Sequence, residues 1–153
     1  MRLSDIVCNA AVVPEMEASE RDEVIVELVT ALAKAGKIDQ DKCRTIANAV
    51  IKREKDASTG IGKGVAVPHV KHKDVKEVVA AIGGKSDGID FSSLDKQPVY
   101  SVILLISPAA DPDKHLQAME NIFKNLQKED FRSFLRQART EQAVMEAVKF
   151  GEE

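Results

Sequence analysis

Apolar residues early in the chain recur at helical spacing. Val24, Leu28, Ala31, Leu32 and Ala35 stand three or four positions apart, which lines one face of a helix. Ser19 precedes this run as an N-cap candidate, with Glu20, Asp22 and Glu23 in the first turn, where the positive helix end favours acids. Gly36 closes the run as a C-cap. A second helix is expected from about Asp39, with Ile46, Ala49, Val50 and Arg53 along one side. Beyond a glycine-rich stretch the pattern changes. VVAAIGG (78–84) reads as a strand and GIDF (88–91) as a short one. VYSVILLIS (99–107) is almost continuously apolar and rich in β-branched residues, the mark of a central strand covered on both faces. Asp111-Pro112 is a helix start, with Asp at N-cap and Pro at N1, and the helix carries Leu116, Met119, Ile122, Phe123 and Leu126. Asp130 is expected to cap a helix with Phe131, Phe134 and Leu135, and Thr140 one with Val144, Ala147 and Val148. The fold class that follows is α/β: a mixed, mainly aliphatic sheet flanked by helices on both faces. No linker-like stretch or repeat divides the chain, so residues 1–153 read as a single domain.

Composition sharpens this picture in a few places. With 44% hydrophobic and 31% charged residues the chain has the balance of a soluble globular domain. One Tyr, five Phe and no Trp leave the core to aliphatic side chains. A net charge of −3 lacks the basic surplus of a nucleic-acid binder, so no nucleic-acid partner is expected. The apolar runs are too short to insert in a membrane, and Ser4, Asp5 and Asn9 interrupt any secretory signal, which makes the cytoplasm the expected location. Cys8 and Cys43 form neither a CxxC pair nor a disulfide framework and read as ordinary free thiols.

The candidate chemistry lies between the helical and strand-like parts, in STGIGKGVAVPHVKH (58–72). His69 follows an apolar VAV and Pro68, whose fixed φ sets the direction in which the histidine leaves the strand. Rigid placement of a group that can be a neutral nucleophile near pH 7 suits a reacting residue, although a solvated loop histidine has the same look. His115 sits about one turn inside the helix opened by Asp111-Pro112, where free N–H groups attract anions. His69 and His72 are three apart, but no third ligand of familiar spacing accompanies them, so neither metal nor cofactor is expected. VKHKD (70–74) reads as a charged surface segment and His72 as a bystander. The glycines at 60, 62 and 64 alone could simply form a tight turn.

Taken together, REKDASTGIGKGVAVPH (53–69) resembles the active-site signature of the fructose/mannitol-type enzyme IIA domains of the bacterial phosphotransferase system, which include the nitrogen-regulatory IIA proteins. Arg-Glu at a helix end, Ser-Thr-Gly, Ile-Gly-x-Gly and Pro-His are all present, and the family's distant His-Leu is matched by His115-Leu116. Val70 stands where the family often has a smaller residue, and Met119 where leucine is common. The resemblance implies a phosphoryl carrier. His69 would accept a phosphoryl group from a histidine-containing phosphocarrier protein and pass it to a IIB cysteine for sugar uptake. His115 would stabilise the transferring group and Arg53 would bind its oxygens. Thr59, Gly62 and Gly64 would assist as phosphate-binding residues, the glycines by close backbone approach. The alternative that the same resemblance implies is a nitrogen-regulatory protein whose phosphohistidine controls binding to regulatory targets.

Overall fold

The structure, a computed structural model, describes residues 1–152. Its elements in order are α1 (Leu3–Ile6), β1 (Val7–Val13), α2 (Arg21–Lys34), a 3₁₀ turn (Gln40–Lys42), α3 (Cys43–Asp56), β2 (Gly60–Gly62), β3 (Val65–Ala66), β4 (His69–His72), β5 (Val79–Ile89), β6 (Val99–Pro108), α4 (Pro112–Leu126), α5 (Glu129–Gln137) and α6 (Glu141–Gly151). The sheet is six-stranded and mixed, in the order β1-β5-β6-β3-β2, with β4 also paired to β6. β5 and β6 are antiparallel, whereas β1 runs parallel to β5 and both β3 and β4 run parallel to β6.

Alternation along the central strands feeds two cores. Val102, Leu104 and Ile106 of β6 join Val79 and Ala81 of β5 under α2 and α3, with Leu28, Leu32, Ile46 and Val50. Ile103 and Leu105 join Ala80 and Ile82 on the opposite face, under α4, α5 and α6, with Ile122, Phe131 and Val148. Such alternation within an almost wholly apolar strand is what burial on both faces produces. The expected α/β sandwich with helices on both faces is the architecture observed.

Several boundaries differ from the expected ones. The α2 N-cap is Glu20, not Ser19. Gly36 lies one residue past the C-cap Ala35 at φ 77, and Gly36 and Lys37 donate to the Ala33 and Leu32 carbonyls as a glycine-terminated helix requires. The α5 N-cap is Lys128, and Asp130 stands inside the first turn. Asp111 and Thr140 do cap their helices, accepting from the Lys114 and Ala143 amides. The buried stripe of α4 is rotated from the expected one: it runs through His115, Ala118, Ile122, Asn125 and Leu126, while Leu116 is 58% exposed. Phe134 likewise lies 46% exposed rather than in the core. The segment 70–74 is not wholly a surface loop, since residues up to His72 form β4. Strand β1 escapes sequence patterning because a register shift between Val7 and Val12 leaves Asn9 and Ala10 outward, so its apolar residues do not alternate.

Strand β5 carries glycine at position 84, where a side chain would not fit. An added Cβ would stand 2.5 Å from the Pro14 carbonyl oxygen, and the backbone is held at that approach by the Met16 amide donating to the Gly84 carbonyl. Gly84→Ala is expected to lower stability by about 1–3 kcal/mol, as overpacking against backbone does. Urea unfolding checks this; an unchanged midpoint would contradict it.

Candidate functional site

Residues 65–72 run along β6 at one constant offset, from Val65 opposite Ser101 to His72 opposite Pro108. Pro68 lacks the N–H that would continue the ladder, which divides the run into β3 and β4. Its carbonyl still accepts from the Leu105 amide at 2.9 Å. His69 is therefore placed opposite Leu105 and Lys71 opposite Ser107, both on the sheet face that α4 covers. Val70 packs into the other core, and His72, in step with it, is on the far face from His69. Nδ1 of His72 accepts from the Asp74 amide at 3.0 Å, which makes it part of the local turn.

The ring of His69 is oriented by its own strand. Its Nδ1 lies 2.7 Å from the Val67 carbonyl oxygen. A carbonyl can only accept, so Nδ1 carries the hydrogen and Nε2 keeps its lone pair. That carbonyl is available for a definite reason. The Val67 amide donates to the Thr59 carbonyl at 3.2 Å, so Thr59 and Val67 stand opposite each other at the end of the β2–β3 hairpin. In an antiparallel ladder the Thr59 amide would return a bond to the Val67 carbonyl. Instead it donates to Oε2 of Glu54 at 2.6 Å, and the Thr59 hydroxyl donates to Oε1 at 2.7 Å. Glu54 is 1% exposed, on the last turn of α3, and it withdraws the competing donor. Sequence reading missed Glu54, which looks like a surface charge at a helix end; its burial appears only when residues 57–59 fold back over it.

Arg53 precedes Glu54 on α3, half-buried, with Nη1 donating to the Ala57 carbonyl at 3.0 Å. From the opposite layer α4 brings His115, whose ring centre lies 5.7 Å from that of His69 at a tilt of 43°. The His115 Nδ1 is 2.7 Å from the hydroxyl of Ser107 on β6. The structure thus brings together three of the expected site residues, His69, His115 and Arg53. Thr59 is adjacent, but its hydroxyl hydrogen is committed to Glu54. Gly62 and Gly64 are not brought to His69. They frame a hairpin turn in which Gly62, Lys63 and Gly64 all have positive φ, at 98, 60 and 80. Asp95 accepts from the Lys63 amide, and the Gly64 carbonyl accepts from the Tyr100 and Ser101 amides. Four residue steps lead from Val65, beside this turn, to His69, which at about 3.3 Å each is roughly 13 Å. The expectation of an open helix end near His115 is also modified, since Asp111 already accepts from the Lys114 amide.

Electrostatics keep both rings neutral. Burial is the main cause that lowers the His69 pKa; the Val67 carbonyl opposes it, Arg53 lowers it further, Glu54 raises it and Lys71 lowers it. Burial, then His69 and Lys71, lower His115 from 6.5 to about 4. The site is a pair of uncharged imidazoles set among cations. It suits a nucleophile that must lack a proton and a product that carries negative charge.

Glu54→Gln leaves one acceptor for two Thr59 donors. A stability loss of roughly 1–3 kcal/mol is expected, together with a shift of the His69 ring ¹⁵N signals as the Thr59 amide competes for the Val67 carbonyl. Unchanged unfolding and unchanged ring signals would contradict the arrangement.

Comparison with known proteins places the chain in a family. Residues 6–150 match the family model described as "Phosphoenolpyruvate-dependent sugar phosphotransferase system, EIIA 2". The chain is 32% identical over 148 residues to the "PTS system fructose-specific EIIABC component" of Bacillus subtilis, covering 97% of this chain but only 23% of that relative. It is 31% identical over 144 residues to a "Nitrogen regulatory protein" of Bradyrhizobium diazoefficiens, covering 94% of this chain and 92% of the relative. The crystal structure of nitrogen regulatory protein IIA-Ntr from Neisseria meningitidis superposes with a TM-score of 0.85 at 23% identity, over 95% of this chain and 98% of that one. No helix among the described residues is long and apolar enough to cross a membrane. With a match across nearly its whole length, the chain belongs to the EIIA type 2 family of the phosphoenolpyruvate-dependent sugar phosphotransferase system.

Proposed function

We propose that this chain is a phosphoryl carrier that uses Nε2 of His69 as its nucleophile. The observation that carries the reading is the Nδ1 contact of His69 with the Val67 carbonyl, which leaves Nε2 unprotonated. Nε2 attacks the phosphorus of a phosphohistidine on a histidine-containing phosphocarrier protein. The new N–P bond forms as the donor's N–P bond breaks, and the donor imidazole leaves with the electron pair. In the onward step a cysteine thiolate of a IIB component attacks the same phosphorus, and Nε2 of His69 is the leaving group. No proton moves at Nδ1 in either step, so the Val67 contact persists throughout.

The barrier in such a transfer lies in alignment and in charge on the three equatorial oxygens. Arg53 offers a planar, permanently charged fork to those oxygens, and Lys71 adds a point charge from the same sheet face. His115, neutral, acts as a hydrogen-bond donor rather than a second cation. Thr59 contributes through Glu54 and the freed carbonyl rather than by touching phosphate. Gly62 and Gly64 serve the turn. Leu116, exposed beside His115, is suited to contact a docking partner. On this reading the chain works in the cytoplasm, with sugar uptake as the destination of the phosphoryl group.

The relative named as a nitrogen regulatory protein supports a second reading, because its likeness extends over nearly the full length of both chains. There the phosphohistidine is the signal: about two negative charges added at His69 alter the potential of the docking face and so the choice of regulatory target. The chemistry at His69 is common to both readings.

Incubation with phosphoenolpyruvate, the general phosphotransferase enzyme and the phosphocarrier is expected to label the chain with an acid-labile phosphate, and His69→Ala to abolish the label. Because the His69 pKa is held below 6.5, the neutral form dominates at pH 7. The initial rate should be flat above pH 7 and decline only as pH falls through the lowered pKa. Equal labelling of His69→Ala, or a rate that climbs steadily between pH 7 and 8, would overturn the assignment.

A further inference from the structure

Ser107 is completely buried, and Nδ1 of His115 is the sole hydrogen-bond partner of its hydroxyl among the described residues. A serine hydroxyl has one hydrogen and two lone pairs, and a neutral imidazole has one donor and one acceptor nitrogen. Two arrangements fit a 2.7 Å contact. If the His115 Nδ1 carried a hydrogen and donated it to Oγ, the Ser107 hydrogen would have no acceptor. A buried hydroxyl left in that state is costly. If Ser107 donates to Nδ1, both groups are satisfied and the ring hydrogen of His115 must reside on Nε2.

We infer that Ser107 is a positioning residue that fixes His115 as the Nε2–H tautomer, so that a neutral ring presents a hydrogen-bond donor beside the acceptor nitrogen of His69. The two histidines are then held in opposite tautomers by two different partners. A carbonyl, which only accepts, leaves Nε2 of His69 bare. A hydroxyl with a single outlet gives Nε2 of His115 its hydrogen. The same contact disfavours the charged ring, because a protonated Nδ1 would again strand the Ser107 hydrogen. Burial, the main cause of the low His115 pKa, acts in the same direction. Lys71, in register with Ser107 on the same face, opposes a charge there as well.

The catalytic use of this tautomer rests on the phosphoryl-carrier reading; the tautomer itself does not. Ring ¹⁵N–¹H correlation spectra of the wild-type protein are expected to show His115 protonated on Nε2 with a bare Nδ1. In Ser107→Ala the signals should move toward a mixture of tautomers, and phosphoryl transfer to His69 should slow about tenfold, a tenth or less of what full loss of an acid–base group costs. Ser107→Thr, which keeps the hydroxyl, should restore both. A wild-type ring protonated on Nδ1 overturns the inference, as does Ser107→Ala with unchanged ring signals. A chain that takes no phosphate at all, yet has the Nε2–H ring, overturns the carrier reading and leaves the tautomer assignment standing.

Discussion

The chemistry of the site depends on who occupies one carbonyl oxygen, that of Val67. Strand pairing would assign it to the Thr59 amide, and only the buried carboxylate of Glu54 prevents this by taking both Thr59 donors. The oxygen is then free to hold Nδ1 of His69. Pro68 stands between them and directs its own carbonyl into the sheet, to Leu105. Three consecutive residues thus divide the tasks: Val67 orients the ring, Pro68 anchors the strand, and His69 faces the helix layer. The Arg-Glu pair at the end of α3 is accordingly two devices. Arg53 is a cation felt by His69, and Glu54 works through the backbone.

The site also explains why helices are needed on both faces of the sheet. α3 belongs to one layer and delivers Arg53 and Glu54; α4 belongs to the other and delivers His115. Their residues converge on His69 of β4, a strand that pairs only with β6. There the rings are sheltered enough to stay neutral and open enough for a partner to approach. The Arg53 and Lys71 cations that discourage imidazolium are the groups that would favour a phosphoryl anion. Burial is the larger cause of the low pKa values, and the cations add to it.

Much of this was legible in the sequence, for physical reasons that can be named. The apolar run 99–107 and the Asp111-Pro112 start are dictated by local patterning, and the structure has both. Pro68-His69, Arg53 and His115-Leu116 carried a family resemblance through spacing alone. What failed was what depends on distant partners. The glycines at 62 and 64 suggested a phosphate cradle; their turn is fixed by Asp95 and by the Tyr100 and Ser101 amides, and it lies five or more residues from His69 along an extended run. Glu54 and Ser107 received no role from the sequence, because their burial depends on the fold around them. Leu116 and Phe134 read as core because helical periodicity cannot choose between two faces separated by one residue.

Selection of the reacting nitrogen of His69 by the Val67 carbonyl is open to direct test. The most direct measurement is ¹⁵N and ³¹P spectroscopy of the phosphorylated chain, read for which ring nitrogen is coupled to phosphorus. A phosphoryl group on Nε2, with Nδ1 still carrying its hydrogen, is the predicted result. A phosphoryl group on Nδ1 would mean that the ring leaves the Val67 carbonyl before it reacts, and would contradict the account.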